Sequence, residues 1–134
     1  ILNGSFIFAA DLMREIELSA QISFVKLASY VGTSSTGSVC EMIGLNVDIS
    51  GRDVVVVEDI VDSGLTMKYV TKMLAKYNPR SISICTLLLK PGNLKVDLDI
   101  PYKCFSIPNE FILGYGLDYD GYGRNTRDIY TVVE

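Results

Sequence analysis

The 134-residue sequence contains no histidine and no tryptophan, and it has only three cysteines. Without histidine, a Ser-His-Asp triad, a Cys-His pair and a histidine-ligated metal are all excluded. Acid–base chemistry must therefore use Asp, Glu, Lys, Tyr or Cys. Cys40, Cys85 and Cys104 are odd in number and lack CxxC spacing, which favours reduced thiols in a cytoplasmic protein over a disulfide framework.

Long apolar runs and a surplus of basic residues are also missing. No run approaches the ~18 residues of a membrane-spanning helix, and 12 basic against 16 acidic residues give a net charge of −4. We therefore expect neither nucleic acid nor a membrane as a partner. The length predicts one domain over residues 1–134. The abrupt apolar start does not resemble a signal peptide, and we interpret it as the end of a strand in an N-terminally trimmed chain.

Hydrophobic periodicity predicts an alternation of strands and helices. Helical spacing predicts helices over 5–16, with Ser5 as the N-cap, and over 65–77. Strands are predicted at 21–30, 39–43, 54–57, 81–89, 102–106, 111–113 and 129–133. The polar segment 31–38 predicts a flexible loop that could act as a lid. This order favours an α/β fold with a mostly parallel central sheet flanked by helices, in which 54–57 is a central strand.

The most informative stretch is residues 54–67, Val-Val-Val-Val-Glu-Asp-Ile-Val-Asp-Ser-Gly-Leu-Thr-Met. A strand that ends at 57 and a helix that begins near 66 put residues 58–66 at the sheet edge where α/β proteins bind ligands. Gly64 lets the backbone approach a ligand, and a helix N-terminus favours phosphate. The spacing matches neither GxxxxGK[ST] nor GxGxxG. Three carboxylates in the stretch would repel phosphate alone, so the ligand should also present hydroxyls, a metal ion or a proton: Glu58, Asp59 and Asp62.

Thirteen residues of this stretch resemble the phosphoribosyl-diphosphate motif of type I phosphoribosyltransferases. Four other segments resemble the 6-oxopurine (hypoxanthine-guanine) branch of that family: 3–12, Ser29-Tyr30, 86–91, and 107–119 with Arg124-Asn125. The resemblance covers nearly the whole chain and implies the type I phosphoribosyltransferase fold, with a flexible loop and a small hood region. It also implies transfer of the 5-phosphoribosyl group from phosphoribosyl diphosphate to N9 of hypoxanthine or guanine, with Mg²⁺, in purine salvage.

The resemblance implies a role for each acidic residue and for the turn after the strand. Glu58 and Asp59 would engage the ribose hydroxyls, directly or through Mg²⁺. Asp62 would lie near purine N7 as the general base or acid; taken alone, it would be an ordinary charge at a helix N-terminus. The backbone of 62–66 would hold the 5′-phosphate through Asp62, Ser63, Gly64, Leu65 and Thr66.

The resemblance also implies residues for the purine, the diphosphate and the loop. Lys90 would donate to purine O6, which favours 6-oxo over 6-amino bases. Phe111 would stack on the base and Ile112 would offer backbone groups to its edge, although isolated residues of these types are more often core. The remaining implied positions are Asp118 on Mg²⁺, Asn3, Gly4, Ser5 and Arg124 on diphosphate, and Ser29 and Tyr30 at the start of the flexible loop. Many relatives carry Lys where Asn3 stands, which weakens a charge role there and leaves the backbone role of Gly4 and Ser5 intact.

Two other functions compete with the enzyme. A regulator on the same fold would sense nucleotide or phosphoribosyl diphosphate, but contact with nucleic acid should require a basic face. A magnesium-dependent phosphoryl-transfer domain would not explain the turn at 63–66 together with Lys90 and Phe111. The choice among hypoxanthine, guanine and xanthine stays open, and so does the choice between a homodimer and a homotetramer.

Overall fold

The computed structural model describes residues 1–31 and 38–133, with the backbone alone at 29–31 and 38–40. In chain order the elements are α1 Phe6–Glu15, β1 Lys26–Val31, β2 Ser38–Ile43, β3 Asp53–Val61, α2 Leu65–Ala75, β4 Ser81–Leu89, a 3-10 helix Pro91–Asn93, β5 Tyr102–Ser106, β6 Ile112–Leu113 and β7 Tyr130–Thr131. Both predicted helices and all seven predicted strands are present. The first predicted strand is shorter than expected, because residues 21–25 are not in a strand.

A three-stranded sheet in the order β3-β4-β5 forms the centre of the fold, and both strand pairs are parallel. The connection from β3 to β4 runs through α2, as the strand–helix–strand order predicts. β4 is the central strand, and its residues from Ile84 to Leu89 are buried.

The prediction of 54–57 as a central strand is wrong for the described residues, since β3 lies at one edge of this sheet and Val55 is 52% exposed. An unbroken apolar run shows only that a strand tolerates burial on both faces. It does not specify which strand lies beside it.

The strands outside this sheet are antiparallel. β1 and β2 form a hairpin in which Lys26 pairs with Ile43, and β6 pairs with β7 through Ile112 and Thr131. The mostly parallel sheet is therefore confirmed for β3, β4 and β5, whereas β1 and β2 form a separate antiparallel pair. Residues 32–37, most of the predicted flexible loop, lie outside the described residues.

The hydrophobic core lies between α2 and the sheet. Met67, Val70 and Leu74 recur at helical spacing and are at most 5% exposed, and they pack against a cluster that includes Val56 and Ile84. Burying each such side chain stabilises the fold by roughly 1.5–3 kcal/mol. This packing fixes the start of α2 relative to the ends of β3 and β4.

Ser5 takes the predicted N-cap position of α1 but makes no side-chain capping bond. Its hydroxyl instead donates to the carbonyl oxygen of Ile1, and the residue is fully buried. Helix α2 has Gly64 at its N-cap. Among the helices of residues 1–31 and 38–133, none is long and apolar enough to cross a membrane.

Candidate active site

The turn between β3 and α2 opens a small cleft at the carboxyl end of the parallel sheet. The cleft has a volume of about 90 Å³ and is lined by Glu58, Ile60, Val61, Asp62, Ser63, Gly64, Thr66 and Met67. β3 continues to Val61, so Glu58 and Asp59 lie inside the strand and not in the loop that the sequence predicted. The loop proper is therefore only three residues long, 62–64, and α2 starts directly after it.

Gly64 is required by the geometry of this turn. Its φ is +83°, a left-handed conformation that side chains other than glycine rarely adopt. A Cβ at this position would lie 2.8 Å from a methyl of Leu98 and 2.9 Å from a methyl of Val96. The first amide groups of a helix have no partners within it, and the start of α2 lies beside the cleft, which is the arrangement that binds phosphate.

Asp62 and Lys90 meet at this edge although they are 28 residues apart. The Nζ atom of Lys90 lies 3.4 Å from Oδ2 of Asp62. The amide of Lys90 donates to the carbonyl of Val61 at 3.0 Å, because parallel pairing of β3 and β4 brings their ends together. Lys90 is 8% exposed, so its ammonium is a buried charge that requires a partner. Asp62, half-exposed, supplies one.

Two asparagines that the sequence did not single out complete this cluster. Nδ2 of Asn93 donates to Oδ1 of Asp62 at 2.9 Å and to Oδ1 of Asn109 at 2.8 Å. Asn93 ends the 3-10 helix after Lys90, and its amide donates to the carbonyl of Lys90 at 3.1 Å. Residues three apart lie on one side of a 3-10 helix, which brings Lys90 and Asn93 to the same carboxylate. The only sequence signal is that Asn93 lies two residues after Pro91 and that Asn109 directly follows Pro108.

Glu58 is 7% exposed, and its carboxyl group lies next to that of Asp59. Burial is the main cause that raises the pKa of Glu58 to about 9, followed by the hydrogen bond and the charge of Asp59. Its Oε1 accepts a bond from the amide of Asp59 at 3.1 Å. At neutral pH the carboxyl group of Glu58 is therefore protonated in the absence of a ligand.

The predicted diphosphate turn at Asn3, Gly4 and Ser5 packs directly on Asp59. A Cβ on Gly4 would lie 1.7 Å from Oδ2 of Asp59, so no larger residue fits without displacing that carboxylate. On the other side, a Cβ on Gly116 would lie 2.2 Å from the carbonyl oxygen of Gly4. The backbone at Gly4 is thus held between β3 and the 114–117 segment, and the side chain of Asn3 is exposed.

The segment after β6 brings Asp118 and Arg124 together. Their closest side-chain atoms are 3.2 Å apart, and Nη1 of Arg124 donates to the carbonyl of Gly116 at 2.6 Å. Gly116 joins this pair to the diphosphate turn. A further contact missed from the sequence ties the segment to α1: the hydroxyl of Tyr115 donates to Asp11, and burial together with that carboxylate raises the pKa of Tyr115 to about 12.

Two residues predicted to bind the purine, Phe111 and Ile112, follow Asn109 along the chain. Phe111 is 54% exposed and meets Tyr119 edge to face, with ring centroids 5.5 Å apart. Ile112 is buried and packs in the second core cluster with Phe8, Cys85 and Leu87. The exposed ring of Phe111 offers a surface for stacking, whereas the Ile112 side chain is a core residue.

Ser29 and Tyr30, the residues predicted at the start of the flexible loop, are described by their backbone alone. Ser29 and Tyr30 lie in β1 and pair with Cys40 and Val39 through the backbone, and their side chains lie outside the described set. No group of three or more Asp, Glu or Cys residues within 1–31 and 38–133 could hold a metal. Magnesium often takes only one or two protein carboxylates and completes its shell with phosphate oxygens and water, so Asp59 and Asp118 fit that use.

A larger depression, of about 200 Å³, lies elsewhere, between α2, the first half of β4 and the chain at 97–101. It contains none of the predicted site residues. Its lining includes Asp97 and Asp99 but no basic side chain. Convergence of Asp62, Lys90 and the helix start, and not cavity volume, therefore identifies the candidate active site.

Comparison with known proteins identifies relatives of this chain. Residues 1–120 match the family described as "Phosphoribosyl transferase domain". The hypoxanthine-guanine phosphoribosyltransferase of Mycobacterium bovis is 45% identical over 133 residues, 98% of this chain and 66% of that protein. The hypoxanthine phosphoribosyltransferase of Escherichia coli K12 is 46% identical over 120 residues, 89% of this chain and 67% of that protein.

The fold agrees with solved structures of the same kind. A hypoxanthine phosphoribosyltransferase from Staphylococcus aureus superimposes with a TM-score of 0.89 at 40% identity, covering 98% of this chain and 72% of that structure. The chain thus spans somewhat less than two thirds of the M. bovis relative and about three quarters of the S. aureus structure.

Proposed function

The chain belongs to the phosphoribosyl transferase domain family, and from that membership we propose that it transfers the 5-phosphoribosyl group of phosphoribosyl diphosphate to N9 of hypoxanthine or guanine. The products are IMP or GMP and diphosphate, as in purine salvage. The relatives above are named for this reaction. The proposal takes residues 1–134 as one catalytic domain.

The observation that carries the proposal is the 3.4 Å contact between Lys90 and Asp62 beside the α2 N-terminus. A phosphate site at the start of α2, a proton carrier in Asp62 and a buried cation in Lys90 that can bind a base lie together at one edge of the sheet. A regulator that only binds nucleotide would need the first and the third of these but no proton carrier. The relatives' names give no support to such a regulator.

The turn after β3 binds the 5′-phosphate in this proposal. The backbone amides at the start of α2, with the hydroxyls of Ser63 and Thr66, donate to phosphate oxygens. Asp59 and Glu58, which precede this turn in β3, accept hydrogen bonds from the ribose hydroxyls. Binding of both the 5′-phosphate and the ribose hydroxyls fixes C1 of the ribose within the cleft. This offsets part of the entropy cost of bringing two substrates together.

Bond exchange takes place at C1. The N9 lone pair of the purine forms a bond to C1 while the bond from C1 to the diphosphate oxygen breaks, and its electron pair leaves on diphosphate. The purine releases its N7 proton to Asp62, the carboxylate at the cleft mouth that contacts the ammonium of Lys90. In a chain without histidine, this carboxylate is the group best situated to carry the proton.

Lys90 reads the base. Its ammonium is a donor only, so it favours the 6-oxo group of hypoxanthine or guanine and disfavours the 6-amino group of adenine. The ring of Phe111, 54% exposed, stacks on the base, and backbone groups near Ile112 contact its far edge. Lys90 reads a group that hypoxanthine and guanine share, so it gives no preference between them.

The diphosphate leaves against the turn 3–5 and Arg124. Backbone amides of Gly4 and Ser5 and the guanidinium of Arg124 donate to its oxygens. Asp59 and Asp118 would hold Mg²⁺, which supplies positive charge to the leaving diphosphate when bound. The chain from Ser29 and Tyr30 would cover the site during reaction. A homodimer or homotetramer and a cytoplasmic location complete the proposal.

The test is product formation by the purified full-length protein with Mg²⁺, phosphoribosyl diphosphate and each of hypoxanthine, guanine, xanthine and adenine. We expect IMP or GMP with at least one 6-oxopurine, no AMP above background, and loss of all product when Mg²⁺ is chelated. Failure to form nucleotide from any 6-oxopurine would refute the proposed function.

A further inference from the structure

Asp62 has two carboxylate oxygens, and each has a different partner. Oδ1 accepts a hydrogen bond from Asn93 at 2.9 Å, and Oδ2 faces the ammonium of Lys90 at 3.4 Å. In the proposed function, the ammonium of Lys90 moves from Asp62 to purine O6 when the base binds. That movement frees Oδ2 and leaves Oδ1 with Asn93.

The orientation of the Asn93 amide is itself fixed. Its Nδ2 carries two hydrogens, and one of them is donated to Oδ1 of Asn109 at 2.8 Å. A flipped amide would point its oxygen at both the Asp62 carboxylate and the Asn109 oxygen, which would be repulsive. Asn109 therefore holds Asn93 in the one orientation in which it donates to Asp62.

The hydrogen-bonded residues Asp62, Asn93 and Asn109, here called the relay, come from three separate elements. Asp62 follows β3, Asn93 ends the 3-10 helix after β4, and Asn109 follows β5. Backbone bonds hold the last two: the amide of Asn93 donates to Lys90, and the amide of Ile107 donates to Leu89 at 2.8 Å. The relay thus spans the carboxyl ends of all three parallel strands, so its geometry is set by the sheet and not by a free loop.

We propose that Asn93, oriented by Asn109, is a positioning residue that holds Oδ1 of Asp62 and leaves Oδ2 as the oxygen that exchanges the purine proton. This inference rests on the proposed function and deepens it. The other charged side chains around Asp62 are Lys90 at the end of β4 and Glu58 in the cleft lining. Neither contacts Oδ1, so Asn93 alone determines how that oxygen is held among the described residues.

The first experiment compares single-turnover rates and affinity for phosphoribosyl diphosphate in five proteins: wild type, Asn93→Ala, Asn109→Ala, the double variant, and Asn46→Ala as an exposed asparagine control. Losing a donor to a charged carboxylate should slow Asn93→Ala about tenfold. The acid limb of its pH–rate profile should move to higher pH, because the carboxylate of Asp62 loses a hydrogen bond. Affinity for phosphoribosyl diphosphate should change by less than about twofold.

The effect of Asn109 should pass entirely through Asn93. Asn109→Ala should shift the rate in the same direction but by less, and the double variant should be no slower than Asn93→Ala. Asn109→Asp keeps an oxygen acceptor and should retain most of the rate. Additive losses, a parallel loss of substrate affinity, or an Asn93→Ala protein with the wild-type rate and pH profile would each overturn the inference.

A second measurement does not require activity. In the ligand-free protein, the side-chain amide resonances of Asn93 should move as the nearby carboxylate titrates, and Asp62→Asn should abolish that movement. If wild type forms no nucleotide, the proposed function and the positioning role both fail, while the resonances still report whether the Asn93–Asp62 contact exists. If wild type is active and the Asn93 resonances do not respond to pH, the proposed function stands and this inference is overturned.

Discussion

Replacing Glu58 by glutamine should make the protein more stable at neutral pH. Glu58 ordinarily titrates near 4.5 but has a pKa of about 9 in the folded protein. Between these values the folded chain holds a proton that the unfolded chain has lost. The free energy of unfolding therefore falls as pH rises through this window. Glutamine is uncharged at every pH and keeps an oxygen for the Asp59 amide, which lies 3.1 Å from Oε1 of Glu58.

The size of the effect follows from the shift. At pH 7 the folded state must keep a proton on a group whose unfolded pKa is 4.5, which costs at most about 3.5 kcal/mol at about 1.4 kcal/mol per pH unit. Structural relaxation around Glu58 lowers this upper limit, so we expect Glu58→Gln to stabilise the fold by about 1–3 kcal/mol at pH 7. The difference should shrink to near zero at the acid end of the window.

Urea unfolding of both proteins across this pH range measures the difference directly. Glu17→Gln, at an exposed position after α1, is the matched control and should change stability little at any pH. A Glu58→Gln protein that is less stable than wild type at pH 8, or a difference that does not vary with pH, would refute the reasoning that Glu58 is buried in its protonated form.

Three further predictions concern the diphosphate side of the site. Gly4→Ala should abolish nucleotide formation, because its methyl would displace the Asp59 carboxylate, whereas Gly92→Ala, where a Cβ meets no atom within 4 Å, should leave activity near wild type. Arg124→Ala should weaken diphosphate binding at least about tenfold in calorimetry, since a charge-assisted donor is lost; equal affinity would contradict its role as a clamp. Binding of phosphoribosyl diphosphate should weaken when Mg²⁺ is removed and recover when it is restored, and affinity without metal dependence would contradict a Mg²⁺ ion held by Asp59 and Asp118.

Much of the fold could be predicted because its signals are local. Helical spacing at 65–77 indicates the buried face of α2. The β-branched and leucine-rich run at 81–89 indicates the burial of β4, in which Ile84 to Leu89 are buried. The edge position of β3 could not be predicted, since apolar residues do not specify a neighbour. The predicted end of β3 at residue 57 is too early, because carboxylates are typical of loops whereas Glu58 is buried inside the strand with a raised pKa.

The candidate site divides in the same way. The turn around Gly64 has a recognisable spacing, and its left-handed backbone agrees with the prediction of a close turn. The partners of Asp62 come from distant positions, and nothing local in the sequence connects Asn93 with Asn109. Such contacts arise only when parallel pairing aligns the ends of three strands. Predicted roles on Ser29 and Tyr30 stay predictions.

The most direct test of the central claim is to measure two quantities in wild type and Asp62→Asn: the single-turnover rate of IMP formation from hypoxanthine and the affinity for phosphoribosyl diphosphate. If Asp62 carries the purine proton beside a phosphate-binding turn, the rate should fall by a factor of at least about 100, while the affinity stays within about threefold because the amide preserves the turn. A rate close to wild type, or rate and affinity that fall together, would contradict the claim.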